Sequence, residues 1–255
     1  MPEDRHFYLA QLKERLHYYK EMGIERISVN RSLTKETVGA APVRQEILQP
    51  VSVSSASPRQ TVPLPDPRPS GETLDGIRVD LGDCRRCKLC SGRTNIVFGS
   101  GTFQARLVFV GEGPGADEDA QGLPFVGAAG LLLTKIIESI KLTRDQVYIC
   151  NVVKCRPPSN RTPEEDEIAA CSPFLFRQIE SIRPQVICCL GAVATQTVLG
   201  TKTAVGKLRG RFHEFRGIRV MPTWHPAYLL RNPAAKRDVW NDVREIRALL
   251  DELGS

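Results

Sequence analysis

The 255-residue sequence has no apolar run that approaches the roughly 20 residues needed to cross a bilayer. Its opening residues, MPEDRHFYLAQL, place charges too early to resemble a secretory signal peptide. These absences predict a cytoplasmic protein that does not contact a membrane. In that reducing compartment the eight cysteines are expected to be metal ligands or buried thiols rather than disulfides.

The cysteine pattern lacks the last element of two familiar metal sites. Its first three cysteines form a C-x-x-C-x-x-C run: Cys84, Cys87 and Cys90. A bacterial ferredoxin run needs a further cysteine at the position of Thr94. A zinc ribbon needs a second C-x-x-C knuckle, which the sequence also lacks. Cys155 and Cys171 lie far downstream, and the spacing alone leaves zinc and an iron–sulfur cluster open.

Net charge is absent from the first part of the chain. Residues 1–75 contain ten Lys/Arg and ten Asp/Glu, so the formal charge of +6 lies entirely in residues 76–255. The densest basic stretch is KLRGRFHEFRGIR, residues 207–219. A basic face would suit a polyanion such as DNA, because neutralising phosphates releases counterions. A solvated, mildly basic surface has the same composition, so charge leaves both interpretations open.

The first 75 residues divide into a helical segment and a linker. Apolar residues recur at helical spacing through residues 5–22: Leu9, Leu12, Leu16 and Tyr19. The following stretch is rich in Pro, Ser, Thr and Val and poor in aromatic residues, which is typical of a flexible linker. We therefore expect an N-terminal helical segment (1–31), a flexible linker (32–75) and a folded domain (76–255).

Strand and helix patterns alternate after the linker. Four short apolar runs predict strands at residues 107–110, 147–153, 186–190 and 218–221. Continuous apolar strands separated by helices indicate a parallel sheet covered on both faces. The sequence therefore predicts an α/β fold of three α/β/α layers with a central, mainly parallel four-stranded sheet. The cysteines inside these strands are expected to be small buried hydrophobes: Cys150, Cys188 and Cys189.

Polar residues follow three of the four predicted strands. A GEGPG loop follows the first strand, Asn151 ends the second, and His225 follows the fourth. Because ligands bind outside the carboxyl ends of strands in open parallel sheets, we expect these elements to converge.

The GEGPG loop is a poor candidate for a nucleotide-phosphate loop. It continues into three acidic residues, Asp117, Glu118 and Asp119, which would repel phosphate. The carboxylate of Glu112, set between two glycines, is more typical of a group that positions water or stabilises charge.

Together these motifs resemble the family 4 uracil-DNA glycosylases, the iron–sulfur type found in bacteria and archaea. The matching segments are CRRCKL, GEGPGADEDAQGLPFVGAAG, NVVKCRPPSNRTP, Cys171 and HPAYLL. They occur in order from about residue 76 to the C-terminus. Related proteins that trap uracil DNA covalently carry a basic, His-containing insertion near the Asn motif. CRPPSNRTPEED runs on without that insertion, which favours the hydrolytic enzyme.

The resemblance implies a 4Fe–4S cluster on Cys84, Cys87, Cys155 and Cys171, with Cys90 a spectator. It also implies two catalytic residues. Glu112 would activate water or offset positive charge on the sugar, and His225 would donate a hydrogen bond to the uracil oxygen.

The uracil-binding residues implied by the resemblance are Gly111, Gly113, Glu118, Phe125 and Asn151. Phe125 would stack on the flipped base, Asn151 would read the uracil edge, and Glu118 would lie near C5. Residues 228–230 (Tyr-Leu-Leu) would wedge into the vacated base stack.

The implied function is the removal of uracil from single- or double-stranded DNA by hydrolysis of its N-glycosidic bond, which starts base-excision repair. The alternatives are a non-catalytic or covalently trapping iron–sulfur module that binds uracil DNA, and a zinc-stabilised nucleotide-binding domain. We expect a monomer whose N-terminal helix recruits a protein partner.

Overall fold

The computed structural model describes residues 71–254. The predicted helical segment (1–31) and residues 32–70 of the predicted linker lie outside the described residues. The strands of the described part are β1 Ser100–Gly101, β2 Leu107–Gly111, β3 Tyr148–Asn151, β4 Val186–Leu190, β5 His213–Phe215 and β6 Ile218–Thr223. Its α-helices are α1 Leu74–Leu81, α2 Ala116–Gln121, α3 Ala128–Ser139, α4 Glu165–Ile182, α5 Ala192–Leu199, α6 Val205–Leu208, α7 Pro226–Arg231 and α8 Lys236–Leu253.

One sheet runs through the described region in the order β1-β3-β2-β4-β6-β5. Its four central strands are parallel and coincide with the four apolar runs of the sequence. The edge strands β1 and β5 are antiparallel additions of two and three residues. The predicted α/β fold class is therefore confirmed, with six strands in place of the four expected.

Side chains of the central strands alternate between two cores, one on each face of the sheet. Val108 and Val110 face the core that contains α4 and α5. Leu107 and Phe109 face the opposite core, which contains α3 and α8. This alternation builds the three predicted layers, because successive strand residues point to opposite faces. The three strand cysteines are buried, as predicted: Cys150, Cys188 and Cys189.

Helix α1 packs on the sheet domain through a small apolar cluster with α4. The Thr73 hydroxyl caps this helix by accepting from the Gly76 N–H at 3.1 Å. Arg177 of α4 forms ion pairs with Glu72 and Asp80 on either side of the cap. Helix α1 thus spans residue 75, where the sequence predicts the linker to end.

The carboxyl ends of the parallel strands lie at one edge of the sheet. Gly111 and Asn151 are paired where β2 and β3 end, and β6 ends at Thr223, two residues before His225. Between residues 71 and 254, no helix is both long enough and apolar enough to span a membrane.

Candidate active site

A cavity of about 580 Å³ lies at this edge of the sheet. The structure brings six of the seven predicted catalytic and uracil-binding residues to its wall: Glu112, Gly113, Glu118, Phe125, Asn151 and His225. The seventh, Gly111, lies against two of them, because a Cβ there would overlap the Asn151 amide oxygen and the Phe125 ring. The polar groups that the sequence separates by more than 100 residues therefore share one cavity.

Asn151 presents a buried hydrogen-bond acceptor at the cavity. The residue is 1% exposed, and its Oδ1 atom has no hydrogen-bond partner among the described residues. A buried polar atom without a partner costs about 1–3 kcal/mol. A ligand that donates a hydrogen bond to this oxygen would remove that cost.

His225 presents a hydrogen-bond donor. It is the N-cap of α7, and its Nδ1 atom accepts from the Ala227 N–H at 3.1 Å. Burial lowers the pKa of His225 to about 4, so its ring is neutral at neutral pH. Since Nδ1 accepts, the single proton of the neutral ring lies on Nε2. This ring is 5.6 Å from the Phe125 ring, centroid to centroid.

Glu112 is the carboxylate nearest the start of the loop after β2. Burial raises the pKa of its side chain, and a hydrogen bond with Thr162 partly offsets the shift. Thr162 lies in the loop between Cys155 and α4, where Arg161 forms an ion pair with the buried Glu167. The sequence does not predict a role for Thr162, since nothing in the NRTP segment indicates a contact with Glu112.

Glu118 holds the loop that carries Phe125. Its carboxylate accepts hydrogen bonds from the N–H groups of Gly115, Val126 and Gly127 at 3.1, 2.9 and 3.0 Å. The sequence predicts only that Glu118 lies near C5 of the base. The main-chain contacts of its two oxygens are an additional feature that the sequence does not indicate.

Only part of the predicted wedge, residues 228–230, is exposed. Leu229 is 1% exposed and belongs to the core under α3 and α8, so the interpretation of this residue as a wedge is wrong. Tyr228 is 37% exposed, borders the cavity and lies 5.0 Å from the Trp224 ring. Leu229 of this short helix packs into the core instead.

A second cavity is lined by five cysteines: Cys84, Cys87, Cys90, Cys155 and Cys171. N–H donors point at three of the sulfur atoms. Arg86 donates to Cys84 Sγ at 3.4 Å, Arg93 donates to Cys155 Sγ at 3.4 Å, and the main-chain N–H of Lys154 donates to Cys171 Sγ at 3.3 Å. Such donors stabilise thiolates and the sulfur atoms of bound clusters.

The cysteine sulfurs and the guanidinium groups beside them are the kind of donor set that holds a thiolate-bound group. Within residues 71–254, no three His, Cys, Asp or Glu side chains meet closely enough to hold one metal ion. The five sulfurs line a cavity, and two guanidinium groups lie near them to balance thiolate charge. Burial raises the pKa of Cys155 to about 11, so a metal must displace its proton on binding. Cys90 borders the same cavity, so the lining by itself does not select four ligands from five.

The chain is similar to proteins of a known family. Residues 98–244 match the family model of the uracil DNA glycosylase superfamily. The type-4 uracil-DNA glycosylase of Thermotoga maritima is 48% identical over 187 residues, which cover 72% of this chain and 97% of that protein. The type-4 uracil-DNA glycosylase of Saccharolobus solfataricus is 46% identical over 188 residues, covering 70% of this chain and 87% of that protein.

A type-5 uracil-DNA glycosylase, from Pyrobaculum aerophilum, is 33% identical over 147 residues, covering 51% of this chain and 64% of that protein. The type-4 relatives therefore match at higher identity and over a larger share of both chains. This chain belongs to the uracil-DNA glycosylase superfamily and, within it, to the type-4 uracil-DNA glycosylases.

Proposed function

We propose that this protein excises uracil from DNA by hydrolysing the N-glycosidic bond, the first step of base-excision repair. The observation that carries the proposal is the buried Asn151 oxygen, which has no hydrogen-bond partner within residues 71–254. Its cavity also contains a neutral His225 donor and the Glu112 carboxylate. Membership of the type-4 family supports the same activity.

Base recognition depends on the Asn151 amide and the Phe125 ring. The N3–H of uracil donates to Asn151 Oδ1, and the amide N–H of Asn151 donates to O4 of the base. Cytosine presents an acceptor at N3 and a donor at C4, so it cannot make this pair. The flipped base stacks on Phe125, which replaces part of the stacking lost from the DNA.

The bond that breaks joins C1′ of the sugar to N1 of uracil. Its electron pair leaves with the base, so negative charge develops on uracil and positive charge on the sugar. The Nε2–H of His225 donates to O2 of the departing base. Glu112 offsets the sugar charge, orients water toward C1′ and accepts the proton of that water.

The cysteine cavity is the proposed site of a 4Fe–4S cluster held by Cys84, Cys87, Cys155 and Cys171. Bound there, the cluster supplies a structural crosslink rather than redox chemistry. Cys155 and Cys171 bracket the loop that contains Thr162, the hydrogen-bond partner of Glu112. Ligation at both ends of this segment therefore restrains a residue that touches the catalytic carboxylate.

We propose a cytoplasmic monomer that accepts uracil in single- or double-stranded DNA. Its catalytic domain covers residues 76–255 together with the start of α1 and its Thr73 cap. The residues before them are proposed to form a helical segment (1–31) and a linker that begins at residue 32. The helical segment is the proposed contact with a protein partner.

The test is release of free base from an oligonucleotide with one uracil. The purified full-length protein should release uracil from single-stranded DNA and leave an alkali-labile abasic site. An otherwise identical oligonucleotide with thymine should remain intact. Stable binding without release of uracil would support the non-catalytic alternative and contradict the proposal.

Asn151→Asp should lower kcat/KM on uracil by about a hundredfold, because the substitution replaces the amide donor by an acceptor-only group. Excision of uracil, thymine and cytosine measured side by side checks the change in base preference. Asn241→Asp, on the exposed face of α8, is the matched control and should behave as wild type. Unchanged discrimination in Asn151→Asp would contradict the assigned base contact.

A truncated protein that begins at Gly71 should keep its iron and excise uracil at close to the full-length rate. It retains the Thr73 cap of α1 and the ion pair between Glu72 and Arg177. Iron content, melting temperature and kcat/KM of both proteins check this expectation. Loss of folding or excision would place residues 1–70 within the catalytic body.

A further inference from the structure

Phe125 has an unfavourable backbone conformation. Its φ angle is 54°, in the left-handed region that residues with a side chain rarely occupy, and the residue is only 6% exposed. Such conformations persist when surrounding contacts impose them, and they cluster at ligand-binding sites. The contacts around Phe125 therefore show what holds the proposed stacking ring in place.

Two oppositely charged side chains hold the peptide groups on either side of Phe125. Arg144 donates to the Pro124 carbonyl at 2.8 Å and to Thr134 Oγ1 on α3 at 3.2 Å. Glu118 accepts from the N–H groups of Val126 and Gly127. One side chain thus holds the loop before Phe125, and the other holds the loop after it.

The loop also lies directly on α3. A Cβ at Gly130 would overlap the Phe125 carbonyl group, so the glycine lets the main chain of the loop contact the helix. Arg144 reaches this contact from the short 3₁₀ helix Arg144–Gln146 that precedes β3. The same side chain therefore connects the Phe125 loop, α3 and the entry to the strand that ends at Asn151.

We propose that Arg144 is a positioning residue that fixes the Phe125 ring, together with Glu118, before a base enters the cavity. Arg144 acts through the loop, and it does not belong to the residues that line the cavity. A ring held in its final orientation loses little conformational freedom when the base stacks on it. The inference rests on the proposed stacking role of Phe125.

A double-mutant cycle between Arg144→Met and Phe125→Ala tests the inference, with kcat/KM on single-stranded uracil DNA and inhibition by free uracil as readouts. Arg144→Met should lower kcat/KM about tenfold and weaken uracil inhibition similarly, since it removes a charged hydrogen bond to the loop. In the Phe125→Ala background the same substitution should change either readout by less than about twofold.

A merely structural role would lower activity by the same factor in both backgrounds, and that result would overturn the proposal. Unchanged kcat/KM in Arg144→Met alone, or in Phe125→Ala alone, would also overturn the proposal. Arg144→Lys keeps one charged donor and should recover part of the activity. It replaces Arg144→Met in the cycle if Arg144→Met does not fold. Arg244→Met on the exposed face of α8 is the matched control. Uracil release by the wild-type protein in the same assay tests the proposed function independently of the role of Arg144.

Discussion

His225→Ala is expected to slow the chemical step of uracil excision by about 10²–10³, the usual effect of removing one donor aimed at developing charge. The neutral ring donates from Nε2 because Nδ1 accepts from the Ala227 N–H. Glu112→Gln should cause a loss of similar size, since it removes the carboxylate charge proposed to offset the sugar charge and to activate water.

Single-turnover excision at saturating enzyme isolates this step from binding and product release. His213→Ala on β5 and Glu138→Gln on α3 are matched controls outside the cavity and should keep wild-type rates. Near-normal rates in both His225→Ala and Glu112→Gln would remove the basis of the proposed mechanism.

The same measurement should show how the wild-type rate depends on pH. Burial lowers the pKa of His225 to about 4, so its ring stays neutral above about pH 5 and contributes no ionisation near its ordinary value. Burial raises the pKa of Glu112, and the rate should fall as the pH drops through that raised value and the carboxylate takes up a proton.

Cys171→Ala is expected to lose the iron of the protein and to lower the melting temperature by about 10 °C. Cys171 lies on α4, so the proposed ligation would fix that helix to the segment before β1 and to the segment after β3. Cys87→Ala should behave in the same way. Iron content and the visible absorbance of the cluster, followed together with thermal unfolding, measure both effects.

Cys90→Ala is the matched control, because Cys90 lines the same cavity but is not a proposed ligand. It should retain its iron and its melting temperature. Loss of iron in Cys90→Ala, with full iron in Cys171→Ala, would reverse the ligand assignment. Zinc in place of iron in the wild-type protein would refute the cluster.

The sequence predicted the parts of the fold that depend on long apolar runs. The four central strands are buried on both faces, so their composition alone identifies them. Strands β1 and β5 have two and three residues, too few for a pattern, and their pairing depends on β3 and β6. The prediction for Leu229 is wrong for a related reason, since a short motif does not reveal which side of a helix meets the core.

Glu112, Asn151 and His225 were predictable because each lies at or just after a strand end. Glu118 lies in α2 and Phe125 follows that helix, so their place at the site was implied only by the family resemblance. The contacts that support these residues were not predictable. Thr162 reaches Glu112, and Arg144 reaches the Pro124 carbonyl, only once loops distant in sequence are folded together. Such contacts between a side chain and a main chain have no fixed spacing, so sequence patterns do not report them.

Counting released uracil per enzyme molecule, with DNA in large excess, tests the central claim of hydrolytic excision most directly. The account predicts many molecules of free uracil and abasic DNA per enzyme, and no protein–DNA adduct on a denaturing gel. One uracil or fewer per enzyme, with the protein attached to the DNA, would contradict it.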